Sequence, residues 1–519
     1  MMKKLLLLIS VVLAACSSSP QQSSVLKTAF SSDPSSIDPR KNRDFFSSFF
    51  QKLLFEGLTR MEEGGKIEMA LAKSAEISSD GLMYRFHLRD AVWSDGRPIT
   101  AGDFEYTWKK VLDKKTGAPC AFLFYPILHA AEAFKGEVPI DQVGIRALND
   151  KTLEIVLSHP TPYFLSLISF CPFFAIPKHV DQAHPAWDLE TEHLVCNGPY
   201  RLVTWERNNR ILVEKNPKYW NRGQVSLNGV EILIIPDEKT ALNMFEQGEI
   251  DLLNSLTTSF SPDELVHLKP ETKPLGATSF CTFNLEHPFL KNRSIRNALS
   301  LAINRAAIVE NITQMNEQPA SRFLPSIVAP SQKQLMQSYN PSLAKTLFSQ
   351  GLTELNQQQL PTLHLSHNTS ELSGRVAQAV QQEWKEALGL EVELEELDDK
   401  SLMAQVSSRH YTIALETWAL HYLDPVGILD RFKYKASSKN YPGFENSEYI
   451  ALLDKAQHTN DAALRLNLLE QAETIIVHEM PLAPIFHFNQ VLLKNNRFTN
   501  IHATPLGDVL FAKVKPGEP

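Results

Sequence analysis

One cysteine stands in a setting that defines a reaction. Cys16 follows Leu13-Ala14-Ala15, and narrow side chains ahead of a thiol suit a lipoprotein signal peptidase acting on a diacylglycerol-bearing cysteine. Upstream, Lys3 and Lys4 form a positive segment, and Leu5 to Leu13 is an apolar run of nine interrupted only at Ser10. That run is too short to cross a bilayer as a helix, so a cleaved leader over 1–15 is expected. Residues 16–24 are polar, a tether with nothing to bury. The expected result is a lipid anchor at Cys16 holding a body at a membrane surface. The bland alternative is an ordinary secretory leader with an incidental cysteine.

The other reactive side chains offer less. Cys120, Cys171, Cys196 and Cys281 are widely spaced and form no Cys-x-x-Cys, so neither a zinc site nor a redox pair is expected. Disulfides and buried free thiols both remain open for them. His364 and His367 are three apart, but a strand leading into a turn does not aim both at one point. His478-Glu479 lacks the second His of a zinc-protease helix. No Gly-x-Ser-x-Gly, phosphate-cradling loop or dinucleotide fingerprint occurs, so neither an enzyme nor a cofactor is expected. The acids at 391, 393, 395, 396, 398 and 399 invite a metal or general-acid reading, yet alternation puts 391, 393 and 395 on one solvated face.

The elements that must position any site follow a β/α rhythm. Leu363 to Ser366 reads as a strand, and Glu371 to Leu388 as a helix with Val376, Ala379, Val380, Trp384, Ala387 and Leu388 on its apolar face. Gly389 is placed to stop that helix, and Leu390 to Glu395 alternates as a second strand. Strand, helix and strand in so few residues make a βαβ unit with parallel pairing. Lys151 to Leu157 and Glu231 to Ile235 also alternate; Ile295 to Ile308 and Ala462 to Met480 carry a helical period. Residues 62–66 and 205–210 read as hairpin turns. The body of roughly 500 residues exceeds one core and should divide into two or three domains. Removing Lys3 and Lys4 with the leader leaves 49 basic against 59 acidic residues, a net of −10, which argues against nucleic acid.

Several blocks carry a family pattern. Asp33-Pro34-Ser35-Ser36-Ile37-Asp38-Pro39 is followed by Leu54-Phe55-Glu56-Gly57-Leu58-Thr59, and the most specific stretch runs from Leu71 through Trp93-Ser94-Asp95-Gly96 to Phe104. Asn197-Gly198-Pro199-Tyr200, Asn216-Pro217-Lys218-Tyr219-Trp220, Phe245 to Asp251, Ile295 to Arg305 and Trp418 to Pro425 keep the same order. From about residue 25 to its end the chain resembles the peptide/nickel family of extracytoplasmic solute-binding proteins. Most of these residues have structural reasons to be there. The helix from Ile295, for example, should bury Ile295, Ala298, Leu299, Ala302 and Ile303 and expose Arg296 and Asn297.

The resemblance implies an α/β, two-lobed periplasmic-binding-protein-like fold (type II, cluster C) with an extra domain packed on the first lobe. Lobe I would combine 25–60, 186–276 and 487–519, with 61–185 as the additional domain and 277–486 as lobe II. Two crossings between lobes make hinge bending the natural motion. It further implies the solute-binding subunit of an ABC importer in the bacterial cell envelope, a monomer that captures short peptides or modified peptides and passes them to permease and ATPase subunits.

A binder of many peptides must pair their backbone and neutralise a charged terminus. In peptide-binding relatives a Trp in the second lobe is followed three residues later by an Asp that takes the α-ammonium. Here Trp418 is present but the third position is His421. A neutral imidazole accepts one hydrogen bond; a protonated one prefers a carboxylate. Glu416 could supply the missing charge, whereas Asp424 matches an acidic-Pro turn. Cys120 falls where a relative has a cleft-lining Tyr, Leu415 where it has Arg and Ser373 where it has His. Ala419 falls on a half-cystine, so that disulfide is expected to be absent. The expected ligand contacts are Thr417, Trp418, Ala419 and His421, with Glu416, Cys120, Asp33 and Asn368 as further candidates. On this reading Asp at 421 should tighten unmodified peptides. The nearest rival is a non-peptide solute such as a nickel chelate or haem.

Overall fold

A computed structural model describes residues 24–517, apart from 43, 190, 256–259, 261–264 and 438. Cys16, the leader and the tether through residue 23 lie outside the described residues. Among the described residues no helix is long and apolar enough to cross a membrane.

Two strands of 13 residues, Glu271–Phe283 and Leu482–Lys494, run antiparallel through the middle of one large mixed sheet. On one side the sheet continues through Leu252–Ser255, Val25–Phe30, Gly229–Ile234, Arg210–Lys215 and Tyr200–Glu206. On the other it continues through Ile413–Ala419, Leu363–Asn368 and Val392–Leu397. The ladder between the two long strands breaks register between Pro274 and Thr278. There Gly276 accepts a hydrogen bond from Leu420 N at 2.7 Å and donates one to Pro505 O at 2.9 Å. The break therefore ties both halves of the sheet to one residue. A separate antiparallel sheet has the order Ala72–Ile77, Met83–Leu88, Thr152–Val156, Ile145–Asn149.

The cores follow from this arrangement. One cluster joins Leu26 and Ile232 of the large sheet to Phe86 and Ile155 of the small one and to Trp108 of the helix Ala101–Leu112, so these share a continuous interior. Two others, around Leu365, Val376 and Trp384 and around Phe280, Trp418 and Leu469, lie on opposite faces of the other half of the large sheet.

The βαβ unit forms as expected. Leu363–Asn368 and Val392–Leu397 pair in parallel, joined by the helix Glu371–Leu388. Ser370 caps that helix by accepting from Ser373 N, and Gly389 ends it at φ 67°, a left-handed position that costs glycine little. Gly198 is required for another reason: a Cβ there would lie 2.5 Å from the backbone carbon of Leu54.

Three local expectations are refined. Arg296 is buried, not exposed, because its guanidinium donates to the carbonyls of Leu290, Lys291, Glu479 and Met480. Glu391 and Glu393 are solvated, but Glu395 is half-buried and accepts from Ser366 Oγ at 2.7 Å. All four described cysteines are buried, and Cys171, Cys196 and Cys281 are free thiols, which favours the buried-thiol alternative left open by their spacing. Burial lifts the thiols of Cys171, Cys196 and Cys281 to about 12.

Candidate functional site

A cavity of about 530 Å³ is lined by the helix Phe45–Leu54 with its approach and by the strand Ile413–Ala419 with the turn after it. That size is within the range of small-ligand sites, about 300–1,000 Å³. One wall comes from the helix Phe45–Leu54 and its N-terminal approach, through Asn42, Phe45, Ser48 and Lys52. The facing wall is the strand Ile413–Ala419 with the turn after it, and Asn368, Ser373, Asp399 and Met403 close one side. Leu275, Leu415, Phe486 and Phe488 add apolar surface.

The strand Ile413–Ala419 owes its usefulness to incomplete pairing. One edge pairs with Glu271–Phe283 along its whole length, from Ile413 opposite Phe283 to Ala419 opposite Ala277. The other edge meets Leu363–Asn368 only at Ile413 and Ala414. Beyond Ala414 that edge has no strand partner among the described residues, and Leu415, Glu416, Thr417 and Ala419 line the cavity.

Of the residues singled out by sequence, Thr417, Ala419, Glu416, His421 and Asn368 line this cavity together. Trp418, Cys120 and Asp33 do not. Strand alternation turns Trp418 into an aromatic cluster on the far face, with its ring 4.7 Å from Phe280, 5.1 Å from Phe432 and 5.7 Å from Tyr441. Cys120 is buried in the core, its thiol 3.6 Å from the carbonyl of Asn42. Asp33 is taken up by Trp205 Nε1 at 2.9 Å and Asn208 N at 2.6 Å. Asp424 is structural, accepting two hydrogen bonds from Arg465 at 2.8 Å and one from Val426 N.

The electrostatics divide the cavity. His421 stacks on Phe170, and burial together with the positive charges of Arg431, Lys439 and Lys52 lowers its pKa to about 3. The imidazole is neutral at physiological pH, which decides between the two protonation states left open by its sequence. Further along the strand, burial and the neighbouring Asp399 raise the Glu416 carboxyl to about 7. Its Oε1 is buried without a hydrogen-bond partner.

Residues 66–440 match the family described as bacterial extracellular solute-binding proteins, family 5 (middle). The chain belongs to that family. It is 32% identical over 500 residues to the oligopeptide-binding protein OppA of Bacillus subtilis, covering 94% of this chain and 92% of that one. It is 31% identical to the probable deoxycholate-binding periplasmic protein YgiS of Escherichia coli, over 89% of this chain and 87% of that one. Among solved structures, a periplasmic oligopeptide-binding protein of Borrelia burgdorferi (OppAIV) superposes with a TM-score of 0.85 at 30% identity. That match covers 95% of this chain and 99% of the other. The fold is accordingly the two-lobed α/β, type II solute-binding architecture.

Within this solute-binding fold, sequence reasoning missed Lys52, Phe170 and Asp399 as cavity residues. Lys52 carried a usable signal, as the lone charge in Phe-Phe-Ser-Ser-Phe-Phe-Gln-Lys-Leu-Leu. Asp399 lies beyond the alternating 391–395 stretch and begins the helix Asp399–Ser408 at the cavity rim. Phe170 carries no signal, because a single Phe in a largely apolar stretch reads as core.

Proposed function

We propose that this chain is the lipid-anchored, extracytoplasmic subunit of an ABC importer, and that it captures short peptides by closing two lobes over them. The observation that carries the peptide reading is the bare edge of Ile413–Ala419 beyond Ala414, which lines the cavity. An extended peptide added there would gain main-chain hydrogen bonds that are independent of its sequence. The names of the relatives point the same way, since the Bacillus subtilis and Borrelia burgdorferi proteins are both called oligopeptide-binding.

The proposed lobes are 25–60, 186–276 and 487–519 on one side and 277–486 on the other, with 61–185 riding on the first. The two long strands are the crossings, and the register break at Pro274–Thr278 is the hinge. Ligand would favour the closed form through its extra contacts there, and the permease would read that form. Acylation at Cys16 would keep the body at the membrane.

Native mass spectrometry of protein purified without denaturation tests the class of ligand. A ladder of co-purified peptide masses is expected. One sharp non-peptide mass, such as an amphipathic carboxylate, a nickel chelate or haem, overturns the reading. Mass analysis of the mature N-terminus tests the anchor: a diacylated Cys16 is expected, and an unmodified one refutes it.

A further inference from the structure

The bare edge of Ile413–Ala419 has two faces, and the cavity reaches both. On one face the lining is apolar: Leu415, Val376, Phe486 and Phe488 border the cavity and belong to the core around Leu365 and Trp384. Alternation turns Ala414, Glu416 and Trp418 to the other face. There Ala414 and Trp418 share a core cluster with Leu402, whereas Glu416 lines the cavity together with Leu402, Met403 and Asp399.

Glu416 is 9% exposed, and its Oε1 has no hydrogen-bond partner. Among the described residues no cationic side chain forms an ion pair with it. Buried carboxylates elsewhere are matched: Asp38 pairs with Arg40, Asp424 with Arg465 and Glu473 with Arg322. Lys52, the lysine among the lining residues, is held by Asp508 and does not compete for Glu416. Asp399 accepts from Asn368 Nδ2 at 3.1 Å and stays exposed at the rim. Met403 is exposed beside it, its sulfur accepting from the Tyr441 hydroxyl at 3.1 Å. An apolar wall thus leads from one acid at the entrance to a second, unmatched acid inside.

We infer that this pocket takes a basic side chain of the bound peptide, its aliphatic stem along Leu402 and Met403 and its cationic head at Glu416. The inference rests on the peptide reading above. Directly opposite residues on adjacent strands project to the same face, with Cβ atoms about 4.5–5.5 Å apart. A ligand residue paired opposite Glu416 therefore sends its side chain toward Glu416, where opposite charge stabilises the pair. Its two neighbours turn to the apolar face, against Leu415, Val376, Phe486 and Phe488. The substrate class is a short peptide with a lysine or arginine flanked by small or apolar residues. Leaving Glu416 buried without a cation is costly, and an incoming ammonium or guanidinium relieves that cost.

The test is a lysine scan of Ala-Ala-Ala, read by calorimetry at pH 8. Each of Lys-Ala-Ala, Ala-Lys-Ala and Ala-Ala-Lys is compared with its norleucine counterpart, which keeps the stem and lacks the charge. At one position lysine should bind about tenfold tighter than norleucine. Glu416→Gln should abolish that preference, Glu416→Asp should retain part of it, and Asp399→Asn should reduce it. A readout in the parent protein needs no variant. Burial and Asp399 raise the Glu416 carboxyl to about 7, so at pH 6.5 an arriving ammonium displaces its proton. Calorimetry in two buffers of different ionisation enthalpy should show proton release with the lysine peptide and none with its norleucine counterpart. Co-purified peptides should be enriched in lysine or arginine. Equal affinity of lysine and norleucine peptides at every position, a preference that survives Glu416→Gln, or a co-purified ladder without basic residues overturns the pocket and leaves peptide binding standing. Failure of every probe to bind, with no peptide co-purified, overturns both.

Discussion

The imidazole of His421 lies nearly flat on the ring of Phe170, with centroids 5.0 Å apart and planes inclined by 18°. A second stack beside it, Tyr163 on Tyr422 at 5.0 Å and 9°, repeats the contact. Both join the 163–170 segment to the turn that follows the cavity strand. On the proposed lobe division they join 61–185 to 277–486, so opening of the proposed hinge would break both.

Removing them should shift the balance between open and closed forms. An aromatic pair contributes about 0.5–1.5 kcal/mol beyond area burial. Tyr163→Ala and Phe170→Ala should each weaken ligand binding about two- to tenfold. Small-angle scattering should show a larger radius of gyration for the ligand-bound variant than for the ligand-bound parent. Unchanged affinity and size would mean that the stacks do not contribute to closure.

His421→Asp carries the expectation read from the sequence, tighter binding of unmodified peptides. An Asp there would sit among Lys52, Arg431 and Lys439 and neutralise them. The ligand-free protein should gain stability at pH 7, and binding of Ala-Ala-Ala should tighten; unchanged or weaker affinity would count against an ammonium site at 421. Thermal melts and calorimetry check the two effects separately.

Acid stability follows from the same ring. Its folded pKa, about 3, lies below the ordinary 6.5. Between those values the unfolded chain binds a proton that the folded His421 refuses, so stability falls as pH drops through that window. His421→Gln should flatten the decline between pH 6 and 4 in urea titrations.

Glu416 works in the reverse sense. Its carboxyl rises from 4.5 to about 7, so the folded state retains a proton that the unfolded chain has lost. Stability from this group is present at pH 4 and is lost as pH rises through 7. Glu416→Gln should match the parent at pH 4 and exceed it at pH 8 by an amount on the order of 3 kcal/mol. Equal melting temperatures at pH 8 would refute the buried, unpartnered carboxyl.

Support beneath the cavity strand comes from Glu473, fully buried, which accepts from Arg322 and from the backbone of Phe323 at 3.0 Å and Leu324 at 2.8 Å. Phe323 in turn packs on Trp418. Arg322→Met strands the Glu473 charge and should cost about 3–5 kcal/mol in chemical denaturation. A cost under 1 kcal/mol would show that the pair is dispensable.

The sequence alone determined what local rules govern. The βαβ unit at 363–397 was legible because helix and strand periods differ and Gly389 marks the boundary. Family membership was legible because turn and core residues recur in fixed order. It also pointed to the turn after Trp418, since His421 broke an expected charge pattern. Tertiary structure decided which way each side chain faces and which charges meet. Trp418 left the cavity because alternation along a strand has a phase that only the packed sheet fixes. Lys52 meets His421 from a segment far away in the chain, joining Arg431 and Lys439 from nearer ones, and electrostatic energy depends on distance through space.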